Sequence, residues 1–127
     1  MRNWINLFII ILFATTCYSM VDQQIIRFHS DKINRSYCYG VVNELPQYSL
    51  EGVKLIRVYD IKQHNTHLGY YLWNSHIVVL LNGCDRETLI HELAHHQQFL
   101  YNVSFADAKA HRNFTQYCDK ITNSMEG

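Results

Sequence analysis

The sequence predicts a small α+β domain, and three observations carry that expectation. Apolar residues near the front of the mature body fall at helical spacing, three short β-branched and aromatic runs follow, and the period then turns helical for the rest of the chain. Val21, Ile25, Phe28 and Ile33 describe an amphipathic first helix over about 21–35. "SYCYGVVNELPQYSLEG" reads as irregular or briefly extended. "VKLIRVYDI" (53–61) reads as a strand, and "HNTH" breaks it. "LGYYLW" (68–73) and "HIVVLLN" (76–82) read as two strands around a turn at Asn74–Ser75, so the sheet is expected to be small and mainly antiparallel. Behind Asn82–Gly83, Asp85 is a plausible N-cap for a helix over about 86–101, with Leu89, Ile90, Leu93, Ala94 and Leu100 on its apolar side. Ser104-x-x-Asp107 resembles a capping box. A last helix should start there and bury Ala106, Ala110, Phe114, Tyr117 and Ile121.

The front of the chain has a different character. Arg2 supplies a minimal positive start, "LFIIILFA" (Leu7–Ala14) is an unbroken apolar run, and small polar residues follow from Thr15 to Ser19. That is the pattern of a signal peptide, residues 1–19, cut after Ser19. The apolar run is short for a membrane anchor, and Thr16 is a poor neighbour for lipid modification of Cys17. The expected product is a secreted or periplasmic domain of residues 20–127, undivided by any repeat or Pro/Gly-rich linker. The 11 basic residues of the whole chain balance 11 acidic ones, and removing Arg2 leaves ten against eleven. With no Lys/Arg cluster, the electrostatic footprint of a nucleic-acid binder is missing.

Cys38, Cys84 and Cys118 remain after the signal, which in an oxidising compartment gives one disulfide and one spare thiol, with three pairings open. No Cys-x-x-Cys spacing marks a thiolate zinc knuckle. Asn34, Asn102 and Asn113 stand in Asn-x-Ser/Thr sequons, and the position of Asn113 inside an expected helix favours chance occurrence.

The chemistry concentrates in "LIHELAHHQQF" (89–99). Residues four apart on a helix lie one above the other, so His91 and His95 project from one face and can share a zinc ion at about 2.0–2.1 Å from each nitrogen. Glu92 is rotated by one residue, where its carboxylate can serve as general base for a zinc-activated water without binding the metal. With eight His and five Glu in the chain, a chance His-Glu-x-x-His is expected only about 0.02 times. Here the match also falls in the clearest helical pattern, directly after a strand. A surface cluster without function is the weaker reading.

Zinc needs a third protein ligand. Gln98 and Tyr101 occupy the places where the metzincin pattern has glycine and histidine, which excludes that class. His111 is the preferred third ligand, sixteen residues beyond His95 and far enough along for a second helix to fold back. Asp107, one turn earlier, is the rival, either as a ligand or as an acceptor that holds His111. His96 points about 100° away from His95 on the helix and reads as a neighbour or a surface histidine.

A strand, then "HELAHH", then a short gap and "HRNF" resembles the SprT-like and related minimal gluzincin-type zinc metallopeptidases, over roughly residues 54–118. The resemblance implies a zincin-like core: a helix, a short sheet, the His-Glu-x-x-His helix, and a C-terminal helix that brings the third histidine, often as His-Gly-x-x-Phe. Those positions are His91, Glu92, His95, His111 and Phe114 here, with Arg112 where the family often has glycine. It also implies Zn²⁺ as cofactor and a protein or peptide substrate. The exported start departs from the cytoplasmic or nuclear members that act on DNA-bound proteins, so fold and metal site carry over better than substrate.

As a peptidase, the chain would use Glu92 to take and return the proton, and Tyr71, Tyr101 and Tyr117 are open candidates for a second oxyanion donor. The "LGYYLW" strand, if it lies at a sheet edge, can pair with an extended substrate, although an ordinary edge strand reads equally well. His64 and His67 form a separate His-x-x-His, with solvated histidines the better reading, as for His29 and His76. Two other functions remain open on sequence: a non-catalytic zinc-binding interaction or inhibitory module, and a zinc amidase acting on cell-wall peptides.

Overall fold

The structure is a computed structural model and describes residues 25–61 and 68–126. The expected signal peptide and the His64/His67 pair lie outside the described residues. In chain order the elements are β1 (Ile26–Phe28), α1 (Arg35–Glu44), a 3₁₀ turn (Gln47–Leu50), β2 (Leu55–Val58), β3 (Gly69–Leu72), β4 (Ile77–Leu80), α2 (Arg86–Leu100), α3 (Phe105–Lys109) and α4 (Phe114–Glu126). The strands form one sheet in the order β1-β2-β4-β3. β1 and β4 both run parallel to β2, and only β3 pairs antiparallel, with β4. The α+β class therefore holds, while the sheet is mixed rather than mainly antiparallel.

The correction has a local cause. Part of the expected first helix is β1, which pairs in parallel with β2 through Ile26↔Ile56 and Phe28↔Val58. A three-residue strand is too short to declare its period, and Phe28 also fits a helical spacing with Val21, Ile25 and Ile33. The first described helix is α1, inside the stretch read as irregular. Asn34 caps it, its side chain accepting from the Tyr37 amide at 3.0 Å. Cys38, Val41, Val42 and Leu45 then recur at helical spacing and are all buried.

One face of the sheet presents Ile26, Ile56, Val58, Val78 and Leu80 to the helices. Leu89 and Leu93 of α2, Val41 and Val42 of α1 and Ile121 of α4 close that core. Burying each such side chain stabilises the fold by about 1.5–3 kcal/mol. The β3–β4 hairpin turns through residues 73–76, with His76 at φ 58° and its amide bonded to the Leu72 carbonyl at 2.9 Å. That left-handed conformation is uncommon outside glycine, with histidine among the residues enriched in it. No helix among the described residues is long and apolar enough to cross a membrane.

Of the three cysteine pairings open on sequence, the structure forms Cys38–Cys84 and leaves Cys118 free and half-buried. The bridge joins α1 to the loop that feeds α2, across a sequence separation of 46. A loop of that length corresponds to about 4 kcal/mol of unfolded-state entropy. The double variant Cys38→Ala/Cys84→Ala is therefore expected to lose up to about 4 kcal/mol of stability in denaturant titrations. An unchanged midpoint would show that the bridge constrains little.

Candidate metal centre

α2 is launched by Asp85, whose carboxylate accepts from the Thr88 amide at 3.1 Å and the Thr88 hydroxyl at 2.7 Å. It places Leu89 and Leu93 in the core, and it presents His91 and His95 one turn apart with ring centroids 5.0 Å from each other.

The chain then reverses twice. At the end of α2, Asn102 takes φ 59°, and the Asn102 and Val103 amides bond back to Phe99 and Gln98 carbonyls at 3.0 and 2.9 Å. At the end of α3, His111 takes φ 58°, and the His111 and Arg112 amides bond back to Ala108 and Asp107 carbonyls, each at 3.0 Å. Both are Schellman motifs, with Asn and His standing where glycine is commonest. The single helix expected from Ser104 is thus two helices with a break at residues 110–113. Ser104 does cap the first of them, accepting from the Asp107 amide at 3.2 Å. Asn113, expected inside a helix, stands in the break at φ 55°. Of the expected buried stripe, Ile121 is buried, Phe114 and Tyr117 are half-buried, and Ala106 and Ala110 are exposed, while Ala108 takes the buried place.

The second reversal swings His111 back over α2. Its ring centroid lies 5.5 Å from that of His91 and 5.0 Å from that of His95. Phe114 packs against all three imidazoles, at 4.6, 4.6 and 5.0 Å. One ligand atom from each of His91, His95 and His111 lies within 4.8 Å of the others, close enough to bind a metal ion. The donor chemistry fits: three imidazole nitrogens suit Zn²⁺ and neighbouring transition metals. Burial, assisted by the other imidazoles, lowers the pKa of His91 and brings that of His95 down to about 4. Both rings are therefore neutral, as metal ligation requires. Asp107, the rival ligand, lies outside this group, its carboxylate 3.5 Å from the Arg112 guanidinium.

Glu92 is buried beside the cluster, its Oε1 4.0 Å from His91 Nε2. This is not an ion pair in the metal-free protein, because burial pushes the His91 pKa down and raises that of Glu92 to about 7. Gly69 of β3 lies against the same face of α2, where Val79 and Thr88 leave no space for a side chain. A Cβ on Gly69 would stand 2.7 Å from the Val79 carbonyl oxygen, 2.9 Å from Thr88 Cγ2 and 3.6 Å from Glu92 Cγ. A cleft of about 360 Å³ opens over the imidazoles, between Tyr70, Tyr71 and Trp73 on one side and Phe105, Ala108 and Lys109 on the other. A neighbouring cleft of about 410 Å³ continues past Leu68, Thr88 and Glu87 and shares His91, Glu92 and His111.

The other predicted residues fall elsewhere. His96 is not a surface histidine but fully buried, its Nε2 2.6 Å from the Glu51 carbonyl and its Nδ1 2.8 Å from the Tyr71 hydroxyl. Of the three tyrosines, Tyr71 lines the cleft, with its hydroxyl engaged by His96 and, at 3.2 Å, His76. Desolvation raises its pKa to about 12. Tyr101 is exposed and packs on Tyr117, ring centroids 5.9 Å apart. His29 stacks on Tyr59 at 4.4 Å. Sequence reasoning missed Gln98, fully buried and hydrogen-bonded to His95 at 2.8 Å. Its i+3 spacing from His95 was the available signal.

Comparison with protein-family models, curated proteins and solved structures found no match for this chain.

The raised pKa of Glu92 has a consequence for the metal-free protein. Between the ordinary value of 4.5 and about 7, the folded state keeps a proton that the unfolded state has released, so this group's contribution falls as pH rises through that window. Glu92→Gln removes the ionisation. Its stability advantage over the metal-free parent is expected to be near nil at acid pH and to reach on the order of 3 kcal/mol above neutrality. Thermal unfolding from pH 4.5 to 8 in chelator checks it; the lowered histidines are common to both proteins and cancel. A gap that narrows with rising pH would contradict the burial assigned to Glu92.

Proposed function

We propose that this chain is an exported zinc-dependent metallopeptidase of minimal gluzincin type, related in plan to the SprT-like enzymes. The observation that carries the reading is the convergence of His91, His95 and His111 beside a buried glutamate that belongs to the same helix turn. A purely structural zinc site has no use for such a carboxylate next to its ligands. The three imidazoles would hold Zn²⁺, which supplies a Lewis acid for water and for the scissile carbonyl, and whose charge favours the carboxylate form of Glu92.

The residues of the chain supply the rest. The Glu92 carboxylate takes a proton from the attacking water and returns it to the departing amine nitrogen. Glu92 is buried yet lines both clefts, which keeps its carboxyl at the cleft rather than in bulk water. β3 is the terminal strand of the described sheet and flanks both clefts through Gly69. An extended peptide laid along that edge by backbone hydrogen bonds would cross the three imidazoles. This favours a protein or peptide substrate over a nucleic acid. With Tyr71 occupied by His96, a second oxyanion donor must come from elsewhere in the cleft.

The purified mature chain is expected to bind one Zn²⁺, and His111→Ala to weaken that binding by at least tenfold. Glu92→Gln should keep the metal and the fold while losing at least a hundredfold in cleavage of an unfolded protein. Metal analysis and a fluorogenic protein substrate read both. Equal turnover by parent and Glu92→Gln would remove the enzyme reading. Turnover confined to peptidoglycan would replace it with a cell-wall amidase, and zinc uptake without any turnover with a binding module.

A further inference from the structure

We propose that Gln98 is a positioning residue that sets the His95 tautomer and ties the segment carrying His111 to the metal helix. The inference rests on the metal-site reading above and adds a residue to it. Gln98 is fully buried. Its Oε1 lies 2.8 Å from His95 Nδ1, and its Nε2 donates to the Arg112 carbonyl at 3.2 Å. One amide thus bridges the second ligand to the backbone immediately after the third.

The orientation of that amide is decided by chemistry. Arg112 offers a carbonyl oxygen, an acceptor only, so the NH₂ of Gln98 must face it. The reversed amide would set two oxygens 3.2 Å apart in a buried site and leave both without a proton. Oε1, also an acceptor only, therefore faces His95, and His95 Nδ1 must carry the proton. A neutral imidazole protonated on Nδ1 has its lone pair on Nε2. Gln98 thereby frees His95 Nε2 for a metal, the service that an outer carboxylate or carbonyl gives to ligating histidines generally.

The second hydrogen bond acts on geometry. His111 sits at φ 58° in a reversal whose own bonds run to α3, through the Ala108 and Asp107 carbonyls, and to α4, through the Phe114 amide, but not to α2. The Gln98–Arg112 bond reaches from α2 to that reversal and holds the turn over the metal helix. Phe114 packs the rings together, and the amide adds two hydrogen bonds with fixed donor and acceptor ends.

The direct test is the tautomer of His95 in the metal-free parent, read from long-range ¹H–¹⁵N correlations at neutral pH. The expected result is a protonated Nδ1 and an unprotonated Nε2; a protonated Nε2 overturns the proposal. The second arm measures Co²⁺ and Zn²⁺ affinity by chelator competition. Gln98→Leu, of similar volume, should bind roughly 10–100-fold more weakly than the parent. Gln98→Glu keeps an acceptor for His95 Nδ1 but loses the donor to the Arg112 carbonyl, so it should restore the tautomer and not the tether. It also keeps the test open if the leucine variant fails to fold. Parent-like affinity in folded Gln98→Leu, or a protonated His95 Nε2 in folded Gln98→Glu, overturns the role of Gln98 while leaving the metal centre standing. A parent that binds neither ion removes the centre and this proposal together.

Discussion

The arrangement depends on how α2 lies along β3. Four residues of helix advance about 6 Å and two residues of strand about 6.8 Å, so a stripe at i, i+4 can follow alternate residues of a strand with little slip. Thr88, Glu92 and His96 form such a stripe. Gly69 meets Thr88 and Glu92, and Tyr71 bonds His96. Trp73 then meets Phe99 with ring centroids 5.4 Å apart. The strand residues that face the helix are those paired with Leu80 and Val78, so they share the face that carries the core. A one-residue slip of β3 would put Tyr70 where Gly69 stands and set its Cβ 2.7 Å from the Val79 carbonyl oxygen and 2.9 Å from Thr88 Cγ2. The register of the edge strand and the seating of α2 on it are thus one constraint, fixed where the sheet leaves a side chain out.

A second constraint places the third histidine. A non-glycine residue in the left-handed region is disfavoured by about 1–2 kcal/mol, and His111 carries that strain where glycine would relieve it. The two reversal hydrogen bonds, the Gln98 tether and the packing on Phe114 offset it. Glycine there would ease the backbone and remove the imidazole. Strained positions persist where the surroundings over-determine them, and ligand-holding sites are a common setting for them. Asn102 does the same at the preceding reversal without a role in the cluster, so the left-handed turn is a device of the fold before it is a device of the site.

What could be read from the chain follows the same physics. α2 and the three strands β2, β3 and β4 announce themselves, because their apolar periods run long enough to be distinct and Asp85 marks a start. The His91–Glu92–His95 spacing needed only helical geometry to be read as a cluster, and the structure brings His91, His95 and His111 close enough together to bind a metal ion. β1 was hidden because three residues cannot declare a period, and a parallel partner is set by tertiary packing rather than by a turn. α1 was hidden for a different reason. Gly40 and the β-branched Val41 and Val42 lower its intrinsic propensity, while its buried residues at 38, 41, 42 and 45 did carry the helical spacing. The break at 110–113 has no glycine or proline to mark it, and the left-handed His111 and Asn113 are visible only in the backbone.

The polar interior of α2 divides by purpose. Glu92, His96, Gln97 and Gln98 are all buried, an unusual load for one helix. Three of them reach backbone carbonyls of other segments: His96 that of Glu51, Gln97 that of Tyr48, and Gln98 that of Arg112. Each bond satisfies a polar group that burial would otherwise penalise, and each pins a loop to the helix. Glu92 differs in kind. An ionised carboxyl cannot donate to a carbonyl, and burial already opposes its charge, so its place beside the neutral imidazoles of His91 and His95 adds no strength to the metal-free fold. Glu92 is thus a group from which the metal-free fold gains nothing, and under the proposed function its place at the mouth of both clefts is what accounts for it.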